Sequence, residues 1–314
     1  MANLTVDGNH TSTTQALFCT NGLFGVQLHI FLSVLNICLC LTAFLWNVVI
    51  LIALRKDCSF HPPSKLLFRC LASSDLCVGL ILEPLCTAYL TSSRLSPICS
   101  YASILTSITS GFFCGVSLTT LTTISLDRLL ALQLGLRYRR IVTLKRARFF
   151  VVFLWLSNGV TAVMFNFNYF ITVGIMCIVL FLCLIFSTFS YTKIHITLRQ
   201  HQSQVDDNVQ RQGKFNGGGS PLNIARYRKT VSATLWLQMT LVACYLPFCV
   251  VAALYAITGL RSPSRDFAWE VTLSLVMLNS SLNPILYFWK IREMRKAVKN
   301  TLRQFCCLSA TGWV

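Results

Sequence analysis

The sequence predicts an all-α membrane protein, a seven-transmembrane helix bundle followed by a short amphipathic eighth helix. Of the 314 residues, 54% are hydrophobic and only 12% are charged, and the mean hydropathy is +0.63. Soluble globular domains carry about 25% charged residues, so this composition excludes that class. A helix needs about 20 apolar residues to cross a bilayer. Stretches of that length cover about residues 29–54, 66–90, 98–127, 148–166, 168–193, 230–258 and 268–289.

The predicted spans divide the chain into a polar N-terminal segment, a membrane bundle and a basic C-terminal segment. Residues 1–28 precede the bundle, residues 29–289 form it, and residues 290–314 hold the amphipathic helix and the tail. Inside the bundle, residues 194–229 form a long loop, whose Gly-rich portion is typical of a flexible linker.

Lysine and arginine predict the orientation of the bundle. All of the 27 lysines and arginines except Arg94, Arg261 and Arg265 lie in segments that the seven spans place on one side of the membrane. Because basic residues accumulate in cytoplasmic loops, the tail and the third intracellular loop (194–229) are predicted to be cytoplasmic, and the N-terminus extracellular. The net charge of +17 is therefore mostly a topology signal of a multi-pass plasma-membrane protein. Nucleic-acid binding is not predicted, since no aromatic stacking platform accompanies the basic residues.

Both termini carry modification signals. Asn3 and Asn9 begin the sequons Asn-Leu-Thr and Asn-His-Thr, which predict a glycosylated N-terminus. After Lys290, apolar residues recur every three or four positions, as in an interfacial helix in contact with membrane lipids. These apolar residues are Ile291, Met294, Val298, Leu302 and Phe305. Cys306 and Cys307 follow at the membrane face, where palmitoylation is predicted.

Polar residues inside the apolar spans are predicted to carry function, because a polar group in hydrocarbon is costly. They lie in the stretches LWNVVILIAL, LASSDL, ISLDRLLAL, CYLPF and NSSLNPILYFWK. Ser117 lies in the third span, seven residues before ISLDRLLAL. The structural alternative is a set of polar locks between helices, which applies to Asn47, Ser117 and Asn279.

These motifs resemble those of the rhodopsin-like (class A) G-protein-coupled receptors, over about residues 29–307. LASSDL resembles the second-span aspartate motif of that family, and NSSLNPILY resembles its Asn-Pro-x-x-Tyr motif. LDRLLALQLGLRYRRIVT resembles the Asp-Arg-Tyr box, with Leu129 for tyrosine and Gly135 for proline, and CYLP resembles Cys-Trp-x-Pro, with Tyr245 for tryptophan. The resemblance implies a receptor that binds an extracellular ligand and activates a heterotrimeric G protein.

The resemblance also implies roles for individual residues. An allosteric sodium ion, with no other cofactor and no structural metal, would be held by Asn47, Asp75, Ser117, Asn279 and Asn283. The switch and G-protein-coupling residues would be Asp127, Arg128, Leu136, Tyr191, Asn283, Pro284 and Tyr287. The ligand pocket would contain Ser110, Cys114, Tyr245, Phe248, Ala252, Leu273 and Met277. Glu83 would either meet a cationic ligand or reach the water.

Some features depart from the family pattern. Ser103 occupies the usual position of a disulfide cysteine, and the second extracellular loop is almost absent and contains no cysteine. These absences resemble the melanocortin, cannabinoid and lysolipid receptors more than amine or opsin receptors. Cys19 and Cys99 are the clearest extracellular cysteines, and they either pair with each other or remain free thiols.

Ligand-independent signalling is expected to be measurable but partial. The start of the sixth span, residues 223–232, contains no acidic residue to pair with Arg128 in the resting state. Two other functions remain open, an ion- or proton-coupled transporter using Asp75 and Glu83, and a receptor-like protein that does not signal. An enzyme is not predicted, because the histidines lie outside the membrane or at its edges, away from any catalytic partner.

Overall fold

The computed structural model describes residues 25–56, 61–92, 97–211, 221–258, 263–290 and 292–311. Every regular element in these ranges is helical, which confirms the predicted all-α fold. The α-helices are Gly25–Lys56, Pro62–Cys77, Glu83–Thr91, Pro97–Leu134, Tyr138–Ile141, Leu144–Phe167, Tyr169–Arg211, Pro221–Thr258, Pro263–Lys290 and Arg292–Thr311.

Six helical segments in the described part of the chain are long and apolar enough to cross a membrane. They are His29–Arg55, Pro97–Leu134, Leu144–Met164, Phe170–Thr197, Met239–Thr258 and Ser264–Trp289. The second predicted span completes the seven, but it is not one α-helix. It runs through Pro62–Cys77, passes through a π-helical turn at Val78–Leu82 and continues as Glu83–Thr91.

The π-helical turn brings the first and second spans into close contact. Cys40 Sγ donates to the backbone oxygen of Gly79 at 3.1 Å. A Cβ atom on residue 79 would lie 3.1 Å from the Cβ of Ala43 and from the backbone N of Phe44, so a glycine permits this approach. A π turn holds one extra residue, which rotates the helix beyond it by about 100° relative to an unbroken α-helix.

Both polar and apolar side chains lie in the interior of the bundle, whereas its outer surface is apolar. The third span, Pro97–Leu134, contacts the second, fourth and fifth spans and forms the centre of the bundle. The fourth span is peripheral, with 11% of its most apolar stretch buried against 61% in the seventh span. Its Phe149, Leu156 and Val160 are each more than half exposed. Because a bilayer solvates such side chains, this outer surface is the lipid face.

The fourth and fifth spans are joined by one non-helical residue, Asn168. Asn168 Oδ1 accepts a hydrogen bond from the backbone N–H of Ile171 at 3.2 Å, which caps the start of the fifth span. The Asn168 backbone N–H donates to the oxygen of Met164 at 3.0 Å and closes the fourth span. The predicted near-absence of a loop at this position is therefore confirmed.

The helix Arg292–Thr311 packs one face on the bundle beside the first and seventh spans. The buried face holds Met294, Ala297, Val298 and Thr301, whereas Leu302 is 38% exposed. Arg295 donates to the backbone oxygens of Phe288 and Trp289. The last carbonyls of a helix lie beyond the reach of its own backbone donors, so Arg295 caps the seventh span and fixes the turn between the two helices.

Candidate functional site

Asp127 and three other side chains form a hydrogen-bonded network at the predicted cytoplasmic end of the third span. Asp127 Oδ2 accepts hydrogen bonds from Ser64 Oγ at 2.8 Å and from Arg128 Nη2 at 2.7 Å. Asp127 Oδ1 accepts one from Tyr138 Oη at 2.5 Å. Arg128 also donates to Ser64. Three donors converge on one carboxylate, which is 4% exposed, and they fix the position of the Arg128 side chain against it. We call this set the Asp127 network.

A glycine turn carries Tyr138 into the Asp127 network. Gly135 has a φ of +49° and begins a 3₁₀ turn, Gly135–Arg137, that ends at Tyr138. Proline fixes φ near −65°, so it is incompatible with this backbone, and glycine is favoured here. Burial raises the pKa of Tyr138 to about 12, and the hydrogen bond to Asp127 adds to this effect. Tyr138 therefore stays protonated at physiological pH and remains a donor.

A second polar cluster surrounds Asp75 in the middle of the bundle. Asp75 is fully buried and accepts hydrogen bonds from Ser117 Oγ at 2.8 Å, Ser280 Oγ at 2.9 Å and Asn283 Nδ2 at 2.9 Å. The three donors come from the third and seventh spans, so the Asp75 cluster joins both to the second span. Asn279 is 1% exposed, and its side-chain oxygen and nitrogen have no hydrogen-bond partner in the described structure.

Pro284 explains the position of Asn47. Proline lacks a backbone N–H, so Pro284 leaves the carbonyl four residues earlier, at Ser280, without its helical donor. Asn47 Nδ2 donates to that Ser280 oxygen at 3.2 Å and to the oxygen of Ala43 at 2.8 Å. A polar side chain on the first span therefore satisfies the backbone group that the proline frees.

Tyr245 links the sixth span to the third. Its hydroxyl donates to the backbone oxygen of Cys114 at 3.1 Å, and its side chain is 5% exposed. Two residues further on, Pro247 lies inside the helix, where it removes a backbone hydrogen bond and favours a bend.

A cavity of about 130 Å³ opens above Tyr245, bounded by every span except the first. Its wall is mostly apolar. Phe248 and Trp269 pack against each other with ring centroids 5.0 Å apart and ring planes tilted by 54°, and they join the sixth and seventh spans at the cavity. Glu270 lies on the wall, with Oε2 3.2 Å from Nε2 of His29. The cavity thus combines aromatic faces with one carboxylate.

A family model described as 7 transmembrane receptor (rhodopsin family) matches residues 46–169 and 163–287. The chain belongs to the rhodopsin family of seven-transmembrane receptors. The match confirms the family resemblance, and it identifies the protein as a multi-pass membrane receptor and not an enzyme. The two matched stretches overlap around the short connection at Asn168.

In the receptor, most of the predicted pocket positions line the cavity. They are Ser110, Cys114, Tyr245, Phe248, Ala252 and Leu273. Two predictions need correction, because Met277 and Glu83 are both fully buried and do not line it. Met277 lies one turn deeper than Leu273, in the packed core. Glu83 follows the π turn, whose extra residue rotates it into the bundle, so it does not reach the water.

The sequence-based prediction missed Glu270 and Ser280. Glu270 is a carboxylate one turn after Asp266, near the start of the seventh span, and the rule that marks ionisable residues in membranes applied to it equally. Ser280 follows Asn279 directly, and only the rotation of the helix decides that Ser280 faces Asp75.

One departure from the family pattern, Leu129, has a structural reason in the receptor, and the family tyrosine Tyr287 is packed in the core. Leu129, which replaces tyrosine, is 5% exposed and packs against Ile194 of the fifth span. Tyr287, the tyrosine of the Asn-Pro-x-x-Tyr motif, is 3% exposed and packs edge-on against Phe68 at a centroid distance of 5.3 Å.

Several predicted sites lie outside the described residues. They are Asn3, Asn9, Cys19, Ile291 and the side chains of Leu136, Tyr191, Phe305, Cys306 and Cys307.

Cys99 is disulfide-bonded, whereas the other cysteines with described side chains are free. We expect its partner to be Cys19, the other cysteine predicted to be extracellular. Mass spectrometry of unreduced proteolytic peptides should find one Cys19–Cys99 crosslink, and a Cys58→Ser variant serves as a control that leaves it intact. A free thiol at Cys19 in the folded receptor would contradict this pairing.

Proposed function

We propose that the receptor converts the binding of a small ligand in the cavity into activation of a heterotrimeric G protein. The contact of Tyr245 supports this proposal most directly. Tyr245 lines the cavity and also donates to the third-span backbone at Cys114. A ligand that displaces Tyr245 removes a hydrogen bond between the third and sixth spans, and Pro247 lets the sixth span bend at that level. Binding and helix separation are thereby coupled.

At the opposite end, the Asp127 network has the contacts expected of a resting state. Arg128 is held by Asp127 and Ser64, so it is not available to a partner protein. Separation of the sixth span would open this end of the bundle and let Arg128 exchange these contacts for a G protein. Polar networks with two alternative sets of partners are a common basis of conformational switching.

The wall of the cavity favours a ligand with an apolar body and one basic group. Glu270 supplies a carboxylate, and Phe248 and Trp269 supply aromatic faces that attract cations. A basic ligand would compete with His29 for Glu270. Because Ser110 replaces the third-span acid of amine receptors, such a ligand would be anchored on the seventh span.

Guanine-nucleotide exchange on a panel of G proteins tests the proposal. The receptor in lipid nanodiscs should stimulate at least one G protein, and an Arg128→Ala variant should not. A receptor-like protein that does not signal, or a transporter, would show no difference between the two.

Glu270 is expected to set the charge preference of the ligand. Alkylamines should be more potent than alcohols of the same chain length on the wild type, in the exchange assay or in competition for the cavity. Glu270→Gln should reduce that preference by about 10- to 150-fold, since a charged hydrogen bond contributes about 1.5–3 kcal/mol. An Asp266→Asn variant, one turn away, is the matched control. Equal loss in both variants would exclude a specific role for Glu270.

The predicted orientation completes the proposal. The glycosylation sequons and the distribution of basic residues support an extracellular N-terminus at the plasma membrane, which puts the cavity on the ligand side and the Asp127 network on the G-protein side.

A further inference from the structure

Glu83 is a fully buried carboxyl group that accepts no hydrogen bond from the described residues. It is 0% exposed, and neither of its side-chain oxygens has a donor in the described structure. It does not line the cavity above Tyr245. An isolated buried carboxylate costs several kcal/mol, so native proteins pair it, protonate it or neutralise it with a cation. Something that these contacts do not include must therefore compensate Glu83.

The first span packs against the second on both sides of Glu83. One turn before it, Cys40 Sγ donates to the Gly79 oxygen at 3.1 Å. One turn after it, Asn36 Nδ2 donates to Cys86 Sγ at 3.6 Å. Positions 79, 83 and 86 lie on one face of the second span, so Glu83 faces the first span between these two contacts, at a site that we call the Glu83 chamber.

The unsatisfied atoms around Glu83 are mainly acceptors. Because Asn36 uses its amide nitrogen on Cys86, its oxygen is free to face elsewhere, and that oxygen has no donor in the described structure. Together with the two oxygens of Glu83, this leaves three buried acceptor oxygens without donors. Ser33, one turn before Asn36, adds a buried hydroxyl that also has no described partner. A buried site rich in acceptor oxygens and poor in donors attracts a hard cation.

The chemistry of the Glu83 chamber favours a monovalent cation over a transition metal. No group of three histidine, cysteine or acidic side chains suited to a metal ion occurs in the searched part of the chain. One carboxylate balances one positive charge, and carboxylate, amide and hydroxyl oxygens are hard ligands.

The Glu83 chamber is distinct from the Asp75 cluster. The two carboxyl groups belong to residues eight positions apart, which is about 12 Å along a helix. Asp75 already accepts three hydrogen bonds, whereas Glu83 accepts none from the described residues. One ion cannot be coordinated directly by both groups at that separation.

We propose that Glu83 and Asn36 form a second intramembrane cation site, which binds Na⁺ separately from Asp75. The site does not depend on the proposed signalling function, so its test uses protein stability and not G-protein activation.

Thermal unfolding of the full-length receptor in an Asp75→Asn background tests the site. NaCl is compared with N-methyl-D-glucamine chloride at equal ionic strength, so that only the identity of the cation changes. Sodium at ten times its dissociation constant should raise the ratio of folded to unfolded protein about 11-fold. Adding Glu83→Gln should abolish this effect. In the same background, Asn36→Ala should weaken it, whereas Cys86→Ala, which removes the partner of Asn36 but no acceptor oxygen, should retain it.

Any one of the following results would overturn the proposal. Loss of all sodium stabilisation in Asp75→Asn alone would leave Asp75 as the only ion site. Sodium stabilisation that persists after Glu83→Gln would place the ion elsewhere. A sodium-insensitive Asp75→Asn protein that Glu83→Gln makes more stable would show that Glu83 is a protonated acid. If the Glu83→Gln protein does not fold, an equal sodium response in Asn36→Ala and Cys86→Ala overturns the proposal as well.

Discussion

An Asp127→Asn receptor is expected to catalyse guanine-nucleotide exchange without ligand well above the wild-type level. Asp127 accepts hydrogen bonds from Ser64, Tyr138 and Arg128. Asparagine keeps one acceptor oxygen, but its NH₂ group would then face a donor, and the ion pair with Arg128 would be lost. Hydrogen bonds to charged groups contribute about 1.5–3 kcal/mol. The equilibrium should therefore shift toward the active state by about 10- to 150-fold, as measured by exchange at matched surface expression.

Variants of the partners of Asp127 make this expectation specific. Ser64→Ala and Tyr138→Phe each remove one hydrogen bond from the Asp127 network, so each should raise basal exchange by a smaller factor, about two- to tenfold. Arg128→Ala should return every variant to background, because Arg128 is the group that the network releases. Wild-type basal exchange in Asp127→Asn would show that the network does not restrain the receptor.

The lack of an acidic residue at the start of the sixth span affects the same equilibrium between the resting and the active state. Residues 223–232 contain no carboxylate that could hold Arg128 across the helix interface. The wild type is therefore expected to have a basal signal above Arg128→Ala, and Tyr227→Glu should lower it about two- to fivefold, the value of a partly exposed ion pair.

An Asp75→Asn receptor is expected to lose the inhibition of basal exchange by sodium. The donor set fits a sodium ion, since Asp75 supplies two carboxylate oxygens, Ser117 and Ser280 supply hydroxyls, and the amide oxygen of Asn279 has no partner in the described structure. An ion that binds only the resting state at ten times its dissociation constant lowers wild-type exchange by up to about 11-fold. Asparagine lacks the negative charge that holds the ion.

Glu83→Gln is the matched control for this second expectation. It removes an equally buried carboxylate from the same span, yet it leaves the Asp75 cluster intact, so the effect of sodium on exchange should persist. Exchange is compared in NaCl and in N-methyl-D-glucamine chloride. The same sodium dependence in the wild type and in Asp75→Asn would remove the Asp75 cluster as the site of this inhibition.

The Asp75 cluster shows how far residue patterns predicted a polar site. Asp75, Ser117 and Asn283 were each predicted from a local motif, and all three meet in the structure. Ser280 also binds Asp75, but its neighbour Asn279 was predicted instead. Two adjacent residues of a helix differ by about 100° in direction, and the motif alone does not contain the rotation of the seventh span.

Glu83 and Glu270 show the same limit of prediction from local motifs. Both are carboxylates near one end of an apolar span, so local rules treat them alike. The π turn at Val78–Leu82 rotates Glu83 into the bundle, whereas Glu270 lies on the cavity wall. Within the π turn, Gly79 packs closely against Ala43 of the first span, a contact that a pattern within the second span does not contain.

The sequence by itself determined the all-α membrane fold and the receptor family, because the length and hydropathy of each span and its motifs are local properties. In a bilayer each helix satisfies its own backbone, so every span can be recognised without knowing its neighbours. The tertiary structure alone decided which polar residues meet. The contact of Ser64 with Asp127 joins residues 63 positions apart, and that of Asn283 with Asp75 joins residues 208 positions apart. Such contacts depend on the rotation and packing of whole helices, which no single stretch of sequence specifies.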